Sequence, residues 1–213
     1  MLTISERSEM SRLYIYKMTN DGGGAPCVHK GVLSLAICKP QIRSSAKVGD
    51  WVIGIGGKEL GGKLIYIAEV TKCEGGLSYY RKTEYTDRPD CIYELAANGA
   101  VEWREDSIYH PDGHWMDRDI GATPGYEKAN VLLSSNFTYF GRNSIEIPKS
   151  YKEAHKLLGS LTQGHRVNLS AEALRDFQKL RDEVWSKYKR GKLGDPFHAD
   201  LSKSCSDDEG SAE

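Results

Sequence analysis

An α+β fold, a small mixed β-barrel with C-terminal helices, is predicted by three observations. Between Gly31 and Gly57 two strand-like apolar runs flank a basic connector ending in Gly49-Asp50-Trp51. Further strand-like runs begin at Leu13, Leu64 and Val131, and from Pro148 the apolar period becomes helical. A chain of 213 residues is long enough to bury a proper core as one domain with appendages.

In chain order, residues 1–11 are polar and read as a flexible N-terminus, and a barrel domain is expected over 12–147. Leu13 to Met18 form a first strand that runs into Asn20-Asp21-Gly22-Gly23-Gly24, whose glycines allow a flexible turn. Leu33, Leu35 and Ile37 alternate with smaller residues as one strand, and Trp51, Val52, Ile53 and Ile55 form another. Between them Lys39, Arg43 and Lys47 recur at four-residue spacing, a concentration of cations suited to phosphate. Gly49 suits a turn with positive φ, and Asp50 suits the acceptor of its amide hydrogens. Leu64 to Val70 read as a strand covered on both faces. Residues 71–129 lose the pattern and read as a long insertion or lid. Closing strands are predicted at Val131–Ser134, Phe137–Phe140 and Ser144–Ile147. Over 148–198, Tyr151, Ala154, Leu157, Leu158 and Leu161 mark one helix, and Leu174, Phe177, Leu180, Val184 and Tyr188 mark a longer one with Ser170 as N-cap. The exposed side of the longer helix, with Lys179, Asp182, Lys187 and Lys189, reads as a solvated face. Residues 199–213 are small, polar and acidic, and read as a disordered tail.

A formal charge of −1 means that overall charge does not advertise nucleic-acid binding, so any electropositive site is local. Five cysteines, with no close pair, and an N-terminus without an apolar export segment point to a reduced, cytoplasmic protein. No run approaches the roughly 18 to 20 apolar residues that span a bilayer, so no membrane association is expected.

Several groups suggest chemistry. Gly57 to Leu64 nearly fits a phosphate-binding loop, but Leu64 stands where a hydroxyl must meet magnesium and a strand follows instead of a helix. His110, His114, Asp117 and Asp119 gather imidazole and carboxylate ligands within ten residues, yet at no established metal spacing; neither metal nor cofactor is expected. Cys38 and Cys91, with His165, are candidates for nucleophilic catalysis, the plainer reading of each cysteine being a buried structural thiol. Tyr79, Tyr80, Tyr93, Trp103, Tyr109, Trp115, Tyr139 and Phe140 supply faces on which a base could stack.

The segments RLYIYKMTNDGGGAP, CKPQIRSSAKVGDWVIGIG, GKLIYIAEV and NVLLSSNFTYFG follow one another in an order that resembles the second family of nucleotide-modification-associated domains of phage and bacterial genomes. Asp90-Cys91-Ile92-Tyr93 and Gly164-His165-Arg166 extend the resemblance from about Arg12 to Arg166. Lys47-Val48-Gly49-Asp50-Trp51-Val52 is similar, more weakly, to the strand entry of small barrels of the PUA and EVE type, which implies the barrel fold. The family resemblance implies work in a nucleic-acid modification or phage-defence setting. With the basic connector it gives a module that binds a nucleotide or a modified base. Lys39, Arg43 and Lys47 then hold phosphate, Arg166 joins Lys39 and Arg43 at a barrel mouth suited to a modified base, Asp21 and Asp90 meet base or sugar donors, and Trp51 or Tyr93 stacks. Two alternatives stand beside it. One is an enzyme acting on a nucleotide or base, with Asp50, Asp90, His165 and Cys38 as candidate catalytic groups; the other is a scaffold that recruits modification enzymes through its C-terminal helices.

Overall fold

The structure, a computed structural model, describes residues 11–110, 113–162 and 164–199. The expected flexible N-terminus and acidic tail lie outside these residues, apart from Ser11 and Ala199. The chain opens with β1 (Leu13–Met18), β2 (Cys27–His29) and β3 (Val32–Leu35), and turns through Cys38 and Lys39 into α1 (Pro40–Ser45). Then follow β4 (Trp51–Gly56), β5 (Leu64–Glu69), β6 (Lys72–Glu74), α2 (Ser78–Arg81), β7 (Tyr93–Leu95) and β8 (Val101–Trp103). After α3 (Met116–Asp119) come β9 (Val131–Ser134), β10 (Asn136–Tyr139), α4 (Lys152–Ser160), β11 (His165–Arg166), α5 (Ala171–Lys187) and β12 (Gly191–Lys192).

Three sheets form. The largest has the order β11-β1-β4-β5-β10-β12, the second β2-β3-β9-β6, and β7 and β8 make a hairpin. Within the largest, β1 and β4 run parallel in register from Leu13 beside Trp51 to Met18 beside Gly56, while β5 is antiparallel to both β4 and β10. The expected PUA- or EVE-like barrel is overturned: no sheet closes, and β11 and β12 stand as the two edges of the largest one. The reason lies in what covers each face. Ile15, Ile53 and Ile67 point toward α4 and α5, where they meet Tyr151, Ala154, Phe177, Leu180 and Val184. Tyr14, Tyr16, Val52, Tyr66 and Tyr139 point the other way, toward Leu33, Leu35 and Leu132 of the second sheet and Ile42 of α1. Both faces are buried by other layers, so the sheet need not curl upon itself to bury its apolar side chains.

A third core lies beyond the second sheet. Val131 and Leu133, alternating with Leu132 along β9, meet Tyr79, Tyr80, Tyr85, Tyr93 and Ile120. Residues 71–129 are thus packed by aromatic side chains although they contain little regular structure. Two polar networks pin them: Glu74 accepts from Lys82, Ser78 and Tyr85, and Asp90 accepts from Ser34, Tyr79 and Arg88. Gly54 marks where β4 bulges, and a β-carbon there would collide with the Tyr66 ring. No described helix is long and apolar enough to cross a membrane.

The Cys38 turn is held from inside. Pro40 opens α1 with the φ a helix requires, and Arg43, one turn later, points inward and is 2% exposed. Its guanidinium donates to the carbonyl oxygens of Cys38 (2.6 Å), Lys128 (2.8 Å), Asn130 (2.6 Å) and Asp119 (2.5 Å). Replacing it by methionine keeps the volume but strands these carbonyls. Arg43→Met is therefore expected to lower the unfolding free energy by roughly 3 kcal/mol, seen as a lower urea midpoint at unchanged slope. A midpoint equal to the parent's would show that the cation does not hold this turn.

Candidate active site

Three strained backbone positions meet at one place. Cys38 and Lys39, between β3 and α1, have φ of 56° and 42°, and His110 has φ of 48°. Left-handed conformations at residues of this kind cost roughly 1 to 3 kcal/mol each, and persist where the surrounding structure enforces them. Here the enforcement is visible. Arg43 holds the Cys38 carbonyl, and the Cys38 amide donates to Asp119 Oδ1 at 2.9 Å.

These turns bring together a thiol, an imidazole and a carboxylate. Cys38 Sγ lies 3.8 Å from His110 Nε2, and His110 Nδ1 lies 2.5 Å from Asp119 Oδ2. Tyr93 donates its hydroxyl to the same Asp119 oxygen at 2.9 Å. The Trp115 ring stacks on His110 at 4.6 Å and 21°, with the Arg118 guanidinium 5.1 Å from the Trp115 ring. His110 and Asp119 are buried, whereas Cys38 is half-buried and so reaches the surface of the site. Burial opposes a charge on His110, but the hydrogen bonds and charges of Asp119 and Cys38 outweigh it and raise its pKa to about 9. Its raised pKa lets the imidazole keep the thiol's proton, giving an imidazolium beside a thiolate, the arrangement that makes sulfur nucleophilic.

Ligand atoms from Cys38, His110 and Asp119 lie within 4.8 Å of one another, close enough for a shared metal ion. The hydrogen bonds argue otherwise. Asp119 has both oxygens engaged, one by the Cys38 amide and the other by His110 and Tyr93. An ion shared by Sγ, Nε2 and an Asp119 oxygen would compete with these hydrogen bonds for the carboxylate.

Around the thiol the structure gathers further polar groups. Tyr16 lies near enough to Cys38 and Asp21 for their charges to add to burial and to the Tyr66 contact in raising its pKa. Asp21 accepts from the Tyr139 hydroxyl at 2.6 Å and from the Phe197 amide at 3.1 Å. Burial raises its pKa against the opposing pull of Tyr139, the Phe197 amide, His198 and Lys192. The glycine turn beside it packs Gly24 on the Tyr109 ring, and the Tyr109 hydroxyl donates to the Gly22 carbonyl at 3.1 Å. On the other side Lys39 Nζ stands 5.5 Å from the Tyr16 ring. His165, paired with Tyr16 across β11 and β1, has its pKa lowered by burial and by the charges of Arg166 and Lys39.

The sequence candidates fall into distinct places. Lys39 adjoins Cys38 in the chain, Asp21 and Cys38 both lie near Tyr16, His165 is level with Tyr16 and Arg166 with Ile15 on the opposite sheet face, and Tyr93 supports Asp119 from behind. Lys47 is exposed on the connector, and Asp50 accepts from the Lys47 amide (2.9 Å) and from Arg12 (2.9 Å). Trp51 packs on Trp185 at 4.5 Å beneath Arg181, toward α5. Asp90 is completely buried among Ser34, Tyr79 and Arg88. Burial and Asp90 push the Cys91 thiol up to about 11. Of the histidine loop, His110 and Asp119 turn inward to Cys38, while His114 and Asp117 are exposed and Asp112 is outside the described residues. An interior gap lined by Leu33, Leu35, Val52, Val70 and Leu132 contains none of these candidates.

A family model described as nucleotide modification associated domain 2 matches residues 10–203. No curated protein and no solved structure matches the chain.

Two outcomes follow from the geometry. Iodoacetamide at neutral pH is expected to alkylate Cys38 ahead of Cys27, Cys73 and Cys91, whose pKa values burial raises, and His110→Asn should slow the Cys38 reaction at least about tenfold, read by peptide mass spectrometry. The raised His110 pKa also links to stability. Its contribution is complete below the ordinary histidine value of about 6.5 and is lost as pH rises through about 9, so urea midpoints should fall over that window in the parent and not in His110→Asn.

Proposed function

The chain belongs to the nucleotide modification associated domain 2 family, and from that premise we propose that it is an enzyme acting on a nucleotide or base with Cys38 as nucleophile. The observation that carries this reading is the continuous chain from Cys38 Sγ through both nitrogens of His110 to Asp119. A module that only binds has no need of a thiol, an imidazole and a carboxylate aligned on strained backbone.

The roles follow from position. His110 takes the thiol proton at Nε2 and returns it to a leaving atom. Asp119 holds the ring so that Nδ1 donates to it, leaving Nε2 for the sulfur. Trp115 covers one ring face and Tyr93 fixes the carboxylate. Lys39, in the turn before α1 with Nζ near the Tyr16 ring, supplies charge for a phosphate, whereas Arg166, level with Ile15, is on the opposite face of the sheet. Asp21, buried and accepting from the Tyr139 hydroxyl and the Phe197 amide, takes a structural role, fastening the segment after α5 near Tyr16. Nucleotide recognition and thiol chemistry then occupy one surface. Arg43, Asp50 and Asp90 take structural roles, since their charged atoms face other parts of the same chain.

Protection from alkylation tests both halves together. Saturating nucleoside monophosphates or short single-stranded oligonucleotides are expected to shield Cys38 from iodoacetamide, with Lys39→Glu weakening the shielding about tenfold, a loss of roughly 1.4 kcal/mol. Unchanged alkylation of Cys38 across all ribo- and deoxynucleotides and both kinds of oligonucleotide would remove the thiol from any nucleotide site.

A further inference from the structure

We infer that Cys38 reacts at an acyl carbon, forming a thioester during transfer or removal of an acyl group carried by an amine or hydroxyl of the nucleotide. This inference rests on the reading of Cys38 as the nucleophile of a nucleotide-directed enzyme, and narrows it to one class of reaction.

A nucleophilic sulfur near a nucleobase has two broad kinds of target. It adds to an unsaturated ring carbon, or it attacks a carbonyl carbon and expels a heteroatom. Addition to a ring carbon uses the imidazole to take the thiol proton but releases no leaving group beside the sulfur, so it does not need the ring again to protonate a departing atom or to deprotonate an acceptor. Acyl transfer needs it at every turn. His110 meets that need through its placement. Nε2 faces Sγ at 3.8 Å while Nδ1 is held by Asp119, so the ring remains aimed at the sulfur and at any atom bonded to the carbon under attack. Asp119 already accepts from the Cys38 amide and the Tyr93 hydroxyl, which leaves it to orient the ring and not to contact substrate.

The local fold points the same way. Cys38 sits on a tight turn between strand β3 and helix α1, with left-handed backbone at Cys38 and Lys39. A strained strand-to-helix turn is a general means of lifting an acyl-transfer nucleophile clear of its sheet. In this chain the turn has no glycine beside the nucleophile, and the Arg43 bond to the Cys38 carbonyl helps to hold it.

The step balances with these groups alone. The Cys38 thiol gives its proton to His110 Nε2, and the sulfur electron pair forms a C–S bond while the carbonyl π pair moves to oxygen. That pair returns, the bond to the leaving nitrogen or oxygen breaks, and His110 gives its proton to the departing atom. Water, or an amine or hydroxyl acceptor, then loses a proton to His110, attacks the thioester carbon and releases Cys38 as the thiol. No oxidant, reductant or metal enters.

The probe is p-nitrophenyl acetate, with exposed Cys73 as an internal reference in the same sample. One equivalent of p-nitrophenolate is expected in a burst, with one acetyl group on Cys38, removable by hydroxylamine, formed at least about a hundredfold faster than acetylation of Cys73. His110→Asn should abolish the burst, and Asp119→Asn should slow it with circular dichroism unchanged; if either substitution unfolds the protein, the Cys38-to-Cys73 ratio in the parent still decides. Rapid alkylation of Cys38 by iodoacetamide without an acetyl burst would overturn the acyl assignment and leave the nucleophile standing. Slow, His110-independent alkylation would overturn both. A stable Cys38 adduct with 5-fluorodeoxyuridine monophosphate, in place of the acetyl burst, would assign addition to a ring carbon instead.

Discussion

One buried carboxylate, Asp119, ties together segments that the chain keeps far apart. It receives the Cys38 amide from the turn after β3, the Tyr93 hydroxyl from β7, and His110 from the loop before α3. A buried acceptor of this kind is costly unless every partner is in place, so the three segments are fixed relative to one another or the site is absent. Arg43 extends the constraint by binding the Asp119 carbonyl along with those of Cys38, Lys128 and Asn130. The Cys38 thiol is therefore the half-buried end of a buried polar network.

Much of the secondary structure was legible in the sequence. The limits of β1 and β9 agree with the apolar runs at Leu13–Met18 and Val131–Ser134, and Ser170 caps α5 as its position suggests, accepting from the Ala173 amide at 3.2 Å. The connector was the instructive failure. Lys39, Arg43 and Lys47 at four-residue spacing looked like cations gathered for an anion, but that spacing is also close to one turn of helix, and α1 turns Arg43 into the interior. Ser144 to Ile147 also read as a strand, yet contribute only the bridge from Ile145 to Leu64.

The site itself was half legible. Cys38 reads as a candidate nucleophile and His110 and Asp119 as possible ligands, but the sequence does not join them, because His110 comes 72 positions after Cys38. Pairing across such a distance depends on the aromatic packing of the third core, where Tyr80, Tyr93 and Ile120 lie in segments with no clear period. The overall architecture was missed for a related reason. The edge strands β11 and β12 are two residues each and flank the longest helix, so nothing in their composition reveals that they border the largest sheet.

The segment after α5 gives the molecule a further property. Leu193 donates to the Tyr139 carbonyl, Phe197 donates to Asp21, and the His198 amide donates to the Asp21 carbonyl, a link across 177 positions of sequence between that histidine and that aspartate. During synthesis from the N-terminus, Asp21 emerges early but acquires these partners only after residues 193–198 have left the ribosome. The polar surroundings of Asp21 and Tyr16 beside Cys38 are thus completed late, and a nascent chain stopped within α5 carries Cys38 without its finished neighbourhood.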